Sequence, residues 1–234
     1  MKVNNIASAI AACGLLSLAT TAADASVYLL DNQASGYISE GGNFTGIRPN
    51  TNYLVGLCNA SNCQSAPGEY RNYFYFSIPT LDGAITSAEL VIPTRNVTLD
   101  QSRTVSYQVT SLGIDSASLG SANFADLGTG TYYGNREYSI DDAQITHHIP
   151  LNADAIAALG AGGFSFGLSG RLSSPTDFGI NAPDQLLFGR TQRQVSQLLI
   201  TTVPVPAAWS MMLIGFSGLG FLRRRGVKNS LNAG

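Results

Sequence analysis

Hydrophobic and polar residues alternate in short runs along most of the chain, and Gly, Asn, Pro and Ser break the runs apart. The strongest run is Arg71-Asn72-Tyr73-Phe74-Tyr75-Phe76-Ser77-Ile78-Pro79. Successive side chains of a strand point to opposite faces, so Phe74, Phe76 and Ile78 are predicted to be core while Tyr73, Tyr75 and Ser77 face outward. Pro79 has no ladder donor and is predicted to end the strand. The run from Ile85 to Pro93 points Ala88, Leu90 and Ile92 inward and Ser87 and Glu89 outward; Thr104 to Thr110 points Val105, Tyr107 and Val109 inward. Further strands are predicted at Val27–Leu30, Tyr53–Leu57, Ile145–Leu151, Phe164–Leu168, Leu186–Gly189 and Gln197–Thr202.

Between Ser111 and Asn135 the alternation is lost and a long loop is expected, a place where binding groups tend to collect. One helix is expected in the body, with Asn152 as N-cap, two turns through Leu159 and Gly160 as C-cap. So short a helix is stable only if packed, which points Ile156 and Leu159 at the sheet. The pattern as a whole predicts an all-β protein, an antiparallel β-sandwich of jelly-roll, lectin-like type with one short helix.

Both ends of the chain depart from this rhythm. Lys2, an apolar stretch from Ile6 to Ala19, and small residues Ala23 and Ala25 at the −3 and −1 positions form a secretory signal peptide, with cleavage after Ala25. A lipoprotein signal ending at Cys13 is the rival reading; the apolar run before Cys13 is short, and apolar residues continue past it. At the other end, Val203-Pro204-Val205-Pro206 precedes an uncharged apolar run of roughly 16 residues. Arg223, Arg224 and Arg225 follow it. That order is the plan of a membrane-stop segment whose arginines stay in the cytoplasm, although the run falls short of the roughly 20 residues a bilayer-spanning helix needs. The expected organisation is therefore a signal helix at 1–25, a sandwich domain at 26–202, a sorting segment with a transmembrane helix at 203–225, and a short cytoplasmic tail at 226–234.

Charged residues make up only 12% of the chain and the net charge is −2, which disfavours nucleic acid as a partner. The single basic cluster lies beyond the apolar tail, where a membrane already accounts for it. Without the signal peptide, Cys58 and Cys63 are the remaining cysteines, flanking the polar Asn59-Ala60-Ser61-Asn62. In an oxidising compartment they are expected to form a disulfide; a metal or redox site is the rival, but no second Cys or His pair completes a ligand set.

The tail resembles the PEP-CTERM sorting signal of Gram-negative bacteria in its P-x-P-x-x-W form. Pro204, Pro206, Trp209, Met211, Met212, Gly215, Phe216 and Arg223 to Arg225 carry the likeness. Val205 departs from it, standing where that family usually has Glu between the prolines, and this bears on how efficiently the signal is recognised. The body resembles a group of PEP-CTERM proteins with a lectin-like or carbohydrate-module-like β-sandwich, related in pattern to the DNRLRE-type domain of bacterial surface proteins. The matching segments are Arg71 to Phe76, Ile85 to Leu90, Phe124-Ala125-Asp126-Leu127-Gly128-Thr129-Gly130, and Leu151-Asn152-Ala153. These are packing and turn motifs, so what they imply is fold.

The resemblance implies an exported, non-catalytic surface or extracellular matrix protein. It would be processed by an exosortase-type membrane protease, held transiently at the inner membrane, and then associated with exopolysaccharide or biofilm. A polysaccharide-active enzyme is the first alternative. Against it, His147 and His148 are the only histidines and are adjacent in a predicted strand, the glutamates are few, and no Gly-x-Ser-x-Gly elbow is present. An ice-binding protein is the second, but Thr86, Thr94, Thr98, Thr104 and Thr110 do not repeat at one spacing. Tyr73, Tyr75, Tyr132 and Tyr133 are the candidate glycan-stacking residues, with surface cover of the sheet as their plainer role. Asp31, Asn32, Asp82 and Asp115 are oxygen donors of the kind a structural calcium takes, but no loop has Asp-x-Asp-x-Asp spacing. No other cofactor or metal is expected.

Overall fold

The computed structural model describes residues 24–46, 52–58, 67–99, 104–114, 118, 122–173, 184–189 and 195–204. The expected signal peptide up to Ala23, Cys63, Asp115, Pro206, Trp209 and Arg223 to Arg225 lie outside these residues. The strands are β1 (Ser26–Ser39), β2 (Phe44–Thr45), β3 (Val55–Cys58), β4 (Gly68–Ser77), β5 (Ala84–Thr94) and β6 (Asn96–Thr98). They continue with β7 (Val105–Ser111), β8 (Tyr132–Tyr138), β9 (Ile145–Pro150), β10 (Ser165–Leu172), β11 (Gln185–Phe188) and β12 (Gln197–Val203). One α-helix, α1 (Ala153–Gly160), lies between β9 and β10. The fold is all-β, antiparallel and β-sandwich-like.

Strand β1 holds the layers together because it belongs to both. Ser26 to Asp31 pair with β12, which continues to β5 and then β9. From Asn32 onward the same strand pairs with β4, with a register shift between Asn32 and Ala34 that lets it cross over. On its other edge β4 meets β3 through Tyr70 to Gly68 and β10 through Ser77 to Asn72. β10 leads on to β7 and β8, and β3 leads on to β11 and β6. The crossing is fixed by a buried amide: Asn32 Nδ2 donates to the hydroxyl of Ser196 at 2.6 Å, and the Asn32 backbone N–H donates to the Ser196 carbonyl at 3.2 Å. Satisfying a buried amide in this way spares the unpaired-polar penalty of about 1–3 kcal/mol.

The core lies between the two layers. Ala88, Leu90 and Ile92 of β5, Leu198 and Ile200 of β12, and Ile149 of β9 join one buried cluster with Phe74 and Phe76 of β4, Val105, Tyr107 and Val109 of β7, and Leu168 of β10. The inward positions read from alternation are thus the buried ones. Phe188 has φ 77, a sparsely populated backbone region for a bulky residue. Its ring is held by edge contacts with Tyr107 at 5.0 Å and Tyr138 at 5.4 Å, and by a tilted one with Tyr53 at 5.9 Å. The Asn72 amide shares this interior: its Nδ2 donates to the Tyr53 carbonyl at 3.0 Å, and its Oδ1 accepts from the Tyr107 hydroxyl at 2.9 Å.

The structure departs from the sequence reading in several places. β1 runs on through Ser39 because the polar residues Asn32, Ser35 and Ser39 are buried and hydrogen-bonded, where polarity alone suggests a loop. β8 takes in the last four residues of the expected long loop, Tyr132 to Asn135, and runs on to Tyr138; it is apolar at few positions because it is an edge strand, paired among the described residues with β7 alone. The helix starts as expected, with Asn152 Oδ1 accepting from Ala155 N at 3.1 Å, but its C-cap is Ala161, whose N–H donates to the Ala157 carbonyl. Gly162, with φ 79, supplies the left-handed residue expected at Gly160. Val203 belongs to β12, so the body extends one residue past Thr202. No helix among the described residues is long and apolar enough to cross a membrane, and the expected span lies beyond them.

A side chain at Gly170 would collide with the Tyr107 hydroxyl and Asn72 Oδ1, whereas one at Gly160 meets open space. Gly170→Ala is expected to cost about 2 kcal/mol by forcing this network apart. Gly160→Ala is expected to stabilise the protein by about 0.5 kcal/mol. Urea unfolding of both variants checks the contrast.

Candidate functional site

A concavity of about 640 Å³ lies at the end of the body where β4 gives way to β5 and α1 gives way to β10. Its floor is Ile78 and Leu159, both buried, with the partly buried Ile85 and Ile156 packed against the same core. One wall is the turn from Pro79 to Ala84, and the other is the glycine-rich stretch from Gly160 to Phe164. Both walls are pinned. The Asp82 backbone N–H donates to the Tyr28 hydroxyl at 3.0 Å, and the Thr202 hydroxyl donates to the Asp82 carbonyl at 2.6 Å. Across the groove, the Ile78 N–H donates to the Phe164 carbonyl at 3.0 Å. The Phe164 backbone is therefore fixed while its side chain is 88% exposed at the rim.

Among the described residues, no titratable side chain lines this groove. The surface they form is suited to an apolar occupant. The sequence reading missed it because it is built by two turns far apart in the chain. The one local signal was Phe164, an aromatic next to paired glycines.

The candidate glycan-stacking tyrosines are not together on one surface. Tyr73 and Tyr75 do leave β4 on the face opposite the main core, but a second apolar cluster covers that face, formed with Ala34, Ile38, Leu112 and Leu127 and flanked by Phe44 and Phe124. Arg71 pins this cover: it stacks over the Phe124 ring at 4.0 Å, donates to the Leu127 carbonyl at 2.8 Å, and pairs with Glu69 at 2.8 Å. Tyr73 donates to the Thr45 carbonyl at 3.0 Å and Tyr75 to the Ser165 hydroxyl at 2.8 Å. Burial pushes the Tyr73 phenol well above its ordinary value. Tyr133 is buried too, stacked on Phe166 at 5.8 Å. Exposure is therefore corrected for these three, and Tyr132, 46% exposed, is the accessible one. Its hydroxyl donates to Asn135 Oδ1 at 2.7 Å.

The histidines diverge as adjacent strand residues must. His147 is buried against Tyr138, and its Nε2 donates to the Asp142 carbonyl at 3.1 Å. His148 is exposed, with Nδ1 2.7 Å from Glu89 Oε2. Asn32 of the calcium candidates is engaged at the β1 crossing, and Asp31 accepts from Gln197 at 2.7 Å. Among the described residues, no group of three or more His, Cys, Asp or Glu side chains converges as a metal site would require. Cys58 is buried and disulfide-bonded. The chain matches no family model, and no curated protein matches it.

Asp142 is tied into the body through Ser139, Arg136 and His147. Partial burial pushes its carboxyl up, but the Ser139 N–H and hydroxyl, His147 and Arg136 outweigh this and hold it below the usual carboxylate value. A depressed folded-state value stabilises the fold above the ordinary carboxylate range, and that stability is lost as pH falls through the depressed value. Asp142→Asn is expected to unfold at lower urea concentration than the parent at pH ~7, with the gap closing towards pH ~2. A gap of the same size in acid would assign the effect to something other than the carboxylate.

Proposed function

We propose that this chain is an exported, non-catalytic surface or extracellular matrix protein with a jelly-roll, lectin-like sandwich as its body. In this reading an exosortase-type membrane protease sorts and processes it through Pro204, Pro206, Trp209 and Arg223 to Arg225, with a membrane-spanning tail that holds it transiently at the inner membrane. Exopolysaccharide or biofilm matrix is the proposed partner at the outer surface.

The observation that carries the reading is where the body starts and stops. Ser26, the first residue after the expected signal cleavage, pairs with Thr202 on the neighbouring strand. β12 ends at Val203, and the proline signal begins at the next residue, Pro204. In this reading the two targeting segments follow from the same end of the body, so that a single membrane-facing end would serve both export and sorting, and both could be removed without disturbing a strand pair of the described residues. On the glycan side, the accessible Tyr132 is the residue whose ring is free to stack on sugar.

Expressed with the sorting enzyme, the secreted form is expected to begin at Ser26 and to lack the region from Trp209 to Arg225, as read by intact-mass spectrometry. Trp209→Ala is expected to leave the tail in place. An intact C-terminus on the parent protein would sink the sorting reading. Pull-down on purified glycans and native exopolysaccharide, with and without calcium, tests the partner, and Tyr132→Ala is expected to weaken retention about tenfold.

A further inference from the structure

The apolar groove and the exit of the chain are the same place. Ala84, on the groove wall, pairs with Val203. Gly83, also on the wall and with φ 93, lies so near that a Cβ there would collide with the Val203 carbonyl and stand 2.9 Å from Pro204 Cα. Pro204 thus stands at the rim, and the sequence that follows it, Val205-Pro206-Ala207-Ala208-Trp209, carries no charge. Each proline restricts itself and the residue before it to extended backbone, so Val203 to Pro206 loses little entropy on docking. Extended proline segments dock on apolar grooves with aromatic walls, and Phe164 supplies such a wall here. Five residues beyond Pro204 reach ~17 Å, far enough to cross the floor. The volume lies within the range of about 300–1,000 Å³ found for ligand pockets.

We propose that this groove is the docking site for the protein's own Val205–Trp209 segment, with Pro206 and Trp209 laid over the Ile156–Leu159 floor beside Phe164. Docked, the segment shields Phe164 and withholds Trp209 from any enzyme that must grip it; Ala207 to Trp209 then leave the apolar run, so docking and full membrane insertion are alternative states of the tail. The body is thus a latch on its own C-terminal signal. The effect on sorting rests on the function proposed above; the docking itself needs no sorting enzyme.

The test uses the full-length precursor, purified without any sorting enzyme in lipid nanodiscs, with Phe164→p-benzoylphenylalanine as a photocrosslinker. Phe164 is exposed, so its replacement leaves the core untouched. Irradiation followed by peptide mass spectrometry is expected to give adducts to residues 205–210, formed within one chain when heavy- and light-isotope chains are mixed. The same crosslinker at Thr146, exposed on β9, is expected to give no tail adduct. Gly163→Asp places a carboxylate in the groove where a Cβ meets nothing nearer than 3.6 Å, and it is expected to lower the adduct yield roughly tenfold. Adducts to lipid alone, adducts between heavy and light chains, no adduct at all, or a yield indifferent to Gly163→Asp would each overturn the proposal. Loss of processing in cells with the adduct retained would instead count against the sorting reading.

Discussion

The continuity of β1 is the constraint on which the rest depends. A single strand of fourteen residues leaves the β12 edge of one layer and joins β4 in the other, turning at a bulge where Asn32 is bonded to Ser196. Because the two layers share that strand, their inner faces are held in register, and Phe74 and Phe76 meet Leu90 and Ile200 across the core. The same strand brings the first residue of the body beside its last strand. That closure is what puts the exit at Pro204 next to the β4–β5 turn.

The second layer is covered on both sides, and this changes what its aromatic residues do. A half-buried antiparallel strand shows one face to water, and Tyr73 and Tyr75 would then be free to meet a ligand. Here Leu112, Ile114, Ala122, Phe124 and Leu127, with Phe44 of the short β2 strand, pack against them, fastened by Arg71. The tyrosine hydroxyls serve as internal donors, and their rings add a second core. Apolar surface accessible to a partner is moved to the end of the body, to the groove beside α1 and the exposed Phe164.

An apolar concavity left open to water carries a cost in hydration that an apolar occupant would relieve. Two turns pinned by Tyr28, Thr202 and Ile78 keep the concavity open, so its shape does not depend on an occupant.

The chain's local pattern was enough to determine the inward faces of the central strands and the helix start at Asn152, and it placed the end of the last strand one residue early, because period-two alternation and capping depend on neighbours within a few residues. It also pointed to Phe74, Phe76, Leu90 and Tyr107 as core. Only the tertiary structure decided which polar residues are buried, which tyrosines are accessible, and where a groove opens. Asn32 and Asn72 look like loop or surface residues until Ser196, Tyr53 and Tyr107 arrive from distant segments to satisfy them. Tyr73 and Tyr132 are alike in local sequence character, and what separates them is whether a remote loop folds over the ring. Burial of a second face and enclosure of a concavity are set by contacts between residues far apart in the chain, and no local periodicity records those.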